Sequence, residues 1–308
     1  MHDTPILAIL NPDVRERAAE LQATFVSAEP FPHIAIDDFL DMNFARALLA
    51  EFPAFERGNA VGDNGELGGK STVDRIKALG PAYVRLDEVI RSREFLDWLG
   101  ALTGIDNLLY DPWYLGGGTH ENRNGMSLDA HVDFNYHPSE RWHRRLNLIV
   151  YLNPLWDEAW GGSLEFFRDP HADAKPSRSV VPLFNRCVVF ETSERSWHAF
   201  NTIRLPESQH DLTRRSIALY FYTKDRPAHE VAARHTTLYV NRQLSDRITE
   251  GALLSGDDLA EIRQLIEARD AHIRLLYSEN TELRAAQDKG FAGNLLYLAK
   301  RAYVRFRR

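Results

Sequence analysis

The stretch "LDAHVDFNYHP", residues 128–138, holds three side chains that commonly bind metals. If it is a β-strand, its side chains alternate between two faces, so His131, Asp133 and His137 lie on one side. His131 and Asp133 could supply two adjacent ligands. Residues four apart on a strand are separated by ~13 Å, too far for His137 to join Asp133 on one ion, and Pro138 ends the strand. The third ligand must come from elsewhere in the chain.

A second histidine with suitable surroundings lies further along the sequence. Two histidines and one carboxylate on one octahedral face form the ligand set of open non-haem iron sites. His198 follows the apolar run "CVVFET" after a short turn, so a barrel core could fix its position. The same position also suits an ordinary histidine at a barrel end. The other histidines considered lie in polar turns: His143, His171 and His210.

The segment "TRRSIALYFYT" contains a candidate anion site. As a strand, it places Arg214 and Ser216 on one face. An arginine at the start of a core strand is costly unless it meets an anion. A guanidinium and a hydroxyl two residues apart could together hold a carboxylate. The alternative is an arginine at the barrel rim in a surface ion pair.

The elements that must position these residues change character along the chain. Residues 108–226 contain short β-branched and aromatic runs separated by Gly, Pro and Asn, which predicts an antiparallel barrel or sandwich. Residues 1–107 read as helices and one strand, "FPHIAIDDFLD", that support this core. Within them, residues 57–72 hold five glycines and are predicted to be a loop. Residues 227–308 are predicted to be a helical extension.

The extension carries two further patterns. Residues 259–283 place apolar side chains on a seven-residue a/d frame, with Arg269 and Asn280 as exceptions. An Asn at one a position can set the register of a coiled coil, so residues 259–283 could form a homodimer. The alternative is that they form an amphipathic helix packed on the barrel. The tail 289–308 has six Lys/Arg and no acid, so it could lie on an anionic membrane surface or dock as a terminal helix.

Composition narrows the class of protein. The 308 residues carry a net charge of −7, which gives no basic field for nucleic acid. The single cysteine, Cys187, allows no internal disulfide and suits a reducing compartment. We see no signal peptide and no apolar run of the ~20 residues that a membrane span needs. We expect a cytoplasmic protein that could also contact a membrane surface peripherally.

These motifs, in their order along the chain, resemble a known family. The order is HxD, then "RRLNLIVYLNPLWDEAWGGSLEFF", then a distal histidine, then "RRS". It resembles the Fe(II)/2-oxoglutarate-dependent dioxygenases, and within them the prolyl-4-hydroxylase-like branch, over about residues 30–225. The resemblance implies a mainly β core with flanking helices, folded as a double-stranded β-helix (jelly-roll), with the C-terminal helical extension outside it.

The resemblance also assigns roles to residues. It makes His131, Asp133 and His198 the iron ligands, and the carboxylate at 133 favours hydroxylation over halogenation. Arg144 or Arg145 would meet substrate, while Asn135 and His137 would lie at the pocket rim. The residues implied for the 2-oxoglutarate pocket are Arg214, Ser216, Tyr151, Asn147 and Tyr114.

The predicted activity is hydroxylation of an unactivated C–H bond in a peptidyl (prolyl) or small-molecule substrate, with release of succinate and CO2. The implied cofactors are Fe(II), 2-oxoglutarate and O2, with ascorbate as a compatible reductant. A glycan or lipid intermediate is the alternative substrate within this class. The alternative outside it is a cupin-like or catalytically silent barrel that binds or assembles partners. We expect substrate contacts in segments 57–72 and 116–127.

Overall fold

Two antiparallel sheets form the centre of this computed structural model, which describes residues 6–61, 67–173, 175–240, 244–245 and 247–288. The strands are β1 (His33–Ile36), β2 (Asn59–Val61), β3 (Leu67–Val73), β4 (Leu109–Tyr110), β5 (Gly118–Asn122), β6 (Leu128–Val132), β7 (His143–Tyr151), β8 (Leu164–Phe167), β9 (Arg178–Val180), β10 (Cys187–Glu191), β11 (Trp197–Phe200), β12 (Arg214–Thr223) and β13 (Leu238–Tyr239).

The described strands divide between a large and a small sheet. The large sheet has the order β1-β10-β7-β12-β5-β3-β2, with β4 also paired to β12, and the small sheet has the order β13-β6-β11-β8-β9. Consecutive strands from β5 to β8 therefore alternate between the sheets. The predicted antiparallel core with flanking helices is confirmed.

Helices cover the outer face of the large sheet. They are α1 (Pro12–Glu16), α2 (Ala18–Ser27), α3 (Met42–Ala50), α4 (Pro81–Ile90) and α5 (Arg93–Thr103). The apolar residues of α2 to α5 pack with alternate residues of β7 and β12, including Leu148 and Leu219. Alternation leaves the other face of these strands for the space between the sheets. Arg214 and Ser216 belong to that inner face, as the sequence pattern predicts.

A smaller aromatic core joins the two sheets. Tyr151, Val188 and Phe190 of the large sheet pack with Leu164 and Phe166 of the small sheet. The Phe166 and Phe190 ring centroids lie 5.3 Å apart. This core fixes the distance between the sheets close to the candidate site.

Two sequence-based expectations differ from the structure. The segment 57–72 contains strands β2 and part of β3, which pairs antiparallel with β5, so it is not only a loop. Glycine content hid this because Gly weakens a strand signal without forbidding a strand. The chain also does not become helical directly after residue 227, because β13 comes first and pairs with β6.

The structure forms two compact units, Met1–Ala60 with Gly68–Arg242 and Val61–Leu67 with Gln243–Arg308. The division into 1–107, 108–226 and 227–308 stays a prediction. The second unit contains helix α6 (Gly256–Asp288), whose first turn is capped reciprocally by Ser255 and Asp258. No described helix is long and apolar enough to cross a membrane. The basic tail 289–308 lies outside the described residues.

Candidate active site

Strand pairing brings the two candidate histidines together. His131 on β6 is the direct cross-strand partner of His198 on β11. Their ring centroids lie 4.2 Å apart, and both residues are buried. Asp133 follows immediately after β6. One ligand atom from each of the three residues lies within 4.8 Å of the others, and no other cluster of this kind occurs among the described residues.

The imidazoles are oriented so that their Nε2 atoms face the carboxylate. His131 Nδ1 lies 2.8 Å from the Asp129 carbonyl oxygen, and His198 Nδ1 lies 2.8 Å from that of Ser196. Because a carbonyl only accepts hydrogen bonds, each Nδ1 donates, and each Nε2 is the ring nitrogen left to face Asp133. The Nε2 atoms lie 3.9 Å (His131) and 3.5 Å (His198) from oxygens of Asp133. Carbonyls that accept from the other ring nitrogen commonly fix the orientation of metal-binding histidines in this way.

The charge states of His198 and Asp133 also suit a metal. Burial, with the charge of His131, lowers the pKa of His198 to about 4, so its ring is neutral at neutral pH. Burial alone would raise the pKa of Asp133. The charge of Arg144 and the neighbouring histidines outweigh burial and hold this pKa well below its ordinary value. A neutral imidazole at His198 and an ionised carboxylate at Asp133 fit Fe(II), because metal binding requires deprotonated ligands.

Arg214 lies in the same inter-sheet space as a buried cation. It is 5% exposed, and no carboxylate of a described residue forms an ion pair with it. Its Nε donates to the Gly162 carbonyl at 2.6 Å, and Nη2 donates to the Tyr151 hydroxyl at 3.2 Å. The guanidinium carbon also lies 4.5 Å from the Phe200 ring centroid. A buried charge held without a counter-ion predicts an anionic ligand.

Gly162 shapes the pocket around Arg214. It has a φ of +71°, and a Cβ there would lie 3.0 Å from Trp156, 3.1 Å from Ile203 and 3.2 Å from Arg214 Cδ. The absence of a side chain therefore lets the Gly162 carbonyl reach the guanidinium. The pair "GG" in the sequence has a direct role in placing Arg214.

The remaining predicted pocket residues divide into two groups. Tyr151 and Ser216 are cross-strand partners and are both buried, so they lie beside Arg214 as expected. Burial raises the pKa of Tyr151, so its hydroxyl is neutral. Asn147 lies near the metal ligands instead, and its Nδ2 donates to Asp133 Oδ2 at 2.7 Å.

Tyr114 is placed differently from the expectation. Its ring belongs to the core between the large sheet and the helices, and its hydroxyl donates to Asp87 on α4 at 2.9 Å. It therefore lies on the outer side of the sheet, away from the inter-sheet pocket that the resemblance implied. Tyr114 itself has a φ of +52°, and the sequence pattern did not show this reversal of the backbone.

The expected rim residues also have other roles. His137 is fully buried, its Nδ1 accepts from the Ser139 and Glu140 amides, and its Nε2 lies 3.5 Å from Asp111. It is a structural histidine without access to substrate. Asn135 holds the chain before β13, because its Nδ2 donates to the Ala233 carbonyl and its Oδ1 accepts from the His235 amide.

Arg144 is a site residue whose place the sequence left open. Strict alternation along β7 would put Arg145, not Arg144, on the face of Asn147. A register shift in the pairing of β12 with β7 instead aligns Arg144 with Tyr222 and turns Arg144 toward Asp133. Arg145 forms an ion pair with Glu191 at 3.1 Å. This register shift, a β-bulge, alone determines which of the two arginines faces Asp133. No feature of the sequence indicated it.

Comparisons with known proteins agree with this geometry. Residues 117–222 match the family model of the 2OG-Fe(II) oxygenase superfamily. The prolyl 3-hydroxylase OGFOD1 of Mus musculus is similar at 26% identity over 204 residues, which cover 65% of this chain and 34% of the mouse protein. The prolyl 3,4-dihydroxylase OGFOD1 of Ostreococcus tauri is similar at 26% identity over 216 residues, 65% of this chain and 40% of that protein.

The chain thus spans about a third to two-fifths of the length of these curated relatives. Among solved structures, a Trichoplax adhaerens prolyl hydroxylase, in complex with a hypoxia inducible factor oxygen degradation domain peptide fragment, aligns with a TM-score of 0.48 and 16% identity. That alignment covers 68% of this chain and 91% of the other.

Proposed function

We propose, from the premise that residues 117–222 belong to the 2OG-Fe(II) oxygenase superfamily, that this chain is a non-haem Fe(II)- and 2-oxoglutarate-dependent hydroxylase. The observation that carries the proposal is the buried Arg214, without a described counter-ion, beside the His131–Asp133–His198 cluster. A cation site and a separate anion site in the same space between the sheets suit a ligand that chelates a metal at one end and carries a carboxylate at the other.

The strand order supports the jelly-roll as the fold of this core. The large sheet contains the run β5-β12-β7-β10, and the small sheet contains β6-β11-β8-β9. Eight consecutive strands divided in this manner form the two layers of a double-stranded β-helix. The metal ligands would then lie between the layers, where the aromatic core around Phe166 and Phe190 closes one side.

In this mechanism His131, Asp133 and His198 would hold Fe(II) and leave its other positions open. When bound there, iron would supply, with 2-oxoglutarate and O2, the chemistry of C–H hydroxylation, with succinate and CO2 as the co-products. Arg214 would bind the distal carboxylate of 2-oxoglutarate. Because the Tyr151 hydroxyl accepts from Arg214, its own proton is available to the same carboxylate. Phe190, 4.8 Å from the His198 ring, excludes water from that side of the metal ligands.

A prolyl residue of a peptide is the proposed substrate. It is supported by the two curated relatives, which are both named as prolyl hydroxylases. A glycan, lipid or small molecule is the alternative, since substrate grooves are built from loops rather than from the metal site. Mass spectrometry would show a gain of one oxygen on proline in a peptide library. Succinate formation with glycans or lipids alone would contradict the proposal of a peptide substrate.

The test of the cofactor site is 2-oxoglutarate binding to the Co(II)-loaded protein, measured by calorimetry without substrate. Arg214→Ala removes the guanidinium and its two hydrogen bonds, so we expect binding to weaken about 10- to 100-fold with Co(II) retained. Arg215→Ala is the matched control, because Arg215 pairs with Glu121 at 2.9 Å instead. Unchanged binding in Arg214→Ala would show that Arg214 is not the anchor.

We also propose that α6 mediates a homodimer. Leu259, Ile266 and Ile273 at a positions and Leu276 at a d position are 41–53% exposed, whereas Leu265, outside this frame, is buried. An exposed stripe of this spacing is self-complementary in a two-stranded coiled coil. Asn280 at the next a position is also exposed and would fix the register.

A further inference from the structure

A buried arginine, Arg144, lies against the metal-binding carboxylate. It is 1% exposed, and its Nη2 lies 3.1 Å from Asp133 Oδ2. The resemblance to prolyl hydroxylases offered this residue only as a substrate contact at the mouth. Its burial and its distance to Asp133 point to a different task.

Asn147 completes a closed set of contacts with these two residues. Its Oδ1 accepts from Arg144 Nε at 3.1 Å and from Nη2 at 2.7 Å. Its Nδ2 donates to Asp133 Oδ2 at 2.7 Å. The orientation of the amide is determined by both ends, because only an oxygen can accept from the guanidinium and only an NH2 can donate to the carboxylate.

Aromatic rings hold the guanidinium in this place. Its carbon lies 3.6 Å from the ring centroid of Tyr220 and 4.3 Å from that of Phe134. The backbone of Arg144 is also tied, because its amide donates to the Asn135 carbonyl at 2.9 Å and its own carbonyl accepts from Arg226 at 3.2 Å. Arg144 therefore has a single fixed position beside Asp133.

We propose that Arg144 is a positioning residue that, together with Asn147, occupies Oδ2 of Asp133 and leaves Oδ1 as the metal-binding oxygen. No described residue donates a hydrogen bond to Oδ1, the oxygen 3.9 Å from His131 Nε2. Oδ2 lies 3.5 Å from His198 Nε2, but Arg144 and Asn147 both contact it. A carboxylate restrained in this way contributes one ligand atom. An unrestrained carboxylate could turn and bind through both oxygens, which would fill a coordination position that 2-oxoglutarate or O2 needs. This inference rests on the proposed function.

The test uses the full chain loaded with Co(II), without substrate. We expect Arg144→Lys to bind Co(II), because all three ligands remain, but to bind 2-oxoglutarate at least tenfold more weakly. We also expect a change in the intensity of the Co(II) visible absorption bands, which report the number and arrangement of ligands. Asn147→Ser has a shorter side chain that cannot reach Asp133 and Arg144 together. It should change both the 2-oxoglutarate affinity and the Co(II) spectrum in the same direction.

Arg145→Lys is the matched control, because it is a neighbouring buried arginine of β7 that pairs with Glu191. It should leave the Co(II) spectrum and 2-oxoglutarate affinity at wild-type values. Wild-type spectra and affinities in both Arg144→Lys and Asn147→Ser would contradict the proposal that these residues restrain Asp133. An effect confined to the KM for substrate would also contradict it. Failure of the wild-type protein to bind Co(II) would instead remove the proposed function itself.

Discussion

Backbone carbonyls orient three side chains of the site. Carbonyls of Asp129, Ser196 and Gly162 orient His131, His198 and Arg214 respectively. A carbonyl position depends on local backbone conformation, so substitutions that alter the backbone should affect ligand binding as strongly as substitutions of the ligands' neighbours. Gly162 gives the clearest case.

We predict that Gly162→Ala weakens 2-oxoglutarate binding at least tenfold while Co(II) still binds. The new Cβ would press on Trp156, Ile203 and Arg214 and move the guanidinium. Gly125→Ala is the control, because Gly125 has a φ of +86° but nothing within 4 Å of a Cβ, so it incurs only the backbone cost of about 1–2 kcal/mol. Equal 2-oxoglutarate affinities in the two variants would contradict the role of Gly162.

A residue outside the site, His33, should make stability depend on pH. Burial lowers the pKa of His33, so the folded state keeps it neutral where the unfolded chain already binds a proton. The free energy of unfolding should therefore fall as the pH drops below about 6.5. In urea titrations at pH 7.5 and 5.5, His33→Gln should lose less stability than the wild type. Equal losses would mean that His33 does not contribute.

Strand pairing at the level of elements decides which of these residues form the site. The sequence allowed prediction that His131 and Asp133 lie together, although β6 ends at Val132, and of the alternation along β12, because period-two patterns are local. The face of Arg144, the reversal at Tyr114 and the burial of His137 depend on a bulge and on tertiary packing. Patterns within one segment carry no information about such features.

Strand β13 is the element whose contribution sequence reasoning missed. It covers the free edge of β6, where Tyr239 pairs with His131 and its ring lies 5.1 Å from the His131 ring. A two-residue strand that follows the core by more than ten residues is too short to recognise from its sequence. The edge of the metal-binding strand is nevertheless completed by it.

We predict that Val240→Pro weakens Co(II) binding several-fold. The Val240 amide donates to the Ala130 carbonyl at 2.8 Å, next to His131, and proline removes this donor. Val240→Ala keeps the donor and should bind Co(II) as the wild type does. If equilibrium titrations gave the same affinity for all three proteins, the β13 edge would have no influence on the metal ligands.

At the scale of the whole molecule, the two compact units carry separate functions in our proposals. The first unit holds every residue assigned to the metal and 2-oxoglutarate sites, and the second unit holds the exposed stripe of α6. Assembly should therefore be separable from cofactor binding by substitution.

We predict that Ile266→Asp shifts the protein from dimer to monomer at tens of micromolar, because a charge at an a position is buried in a coiled coil. The measurement is sedimentation velocity. Arg274→Asp, at an exposed position outside the a/d stripe, should remain dimeric. Both variants should bind 2-oxoglutarate equally well. A wild-type protein that is monomeric under these conditions would contradict the dimer.

The pairing of His131 with His198 has a consequence for the order of events during folding. The two histidines lie on strands separated by β7 to β10 along the chain, so they meet only after the intervening strands have been distributed between the sheets. Contacts between distant parts of a chain form late and slowly. A nascent or partly folded chain therefore has no complete iron site. The appearance of Co(II) absorption during refolding would report when β6 and β11 pair.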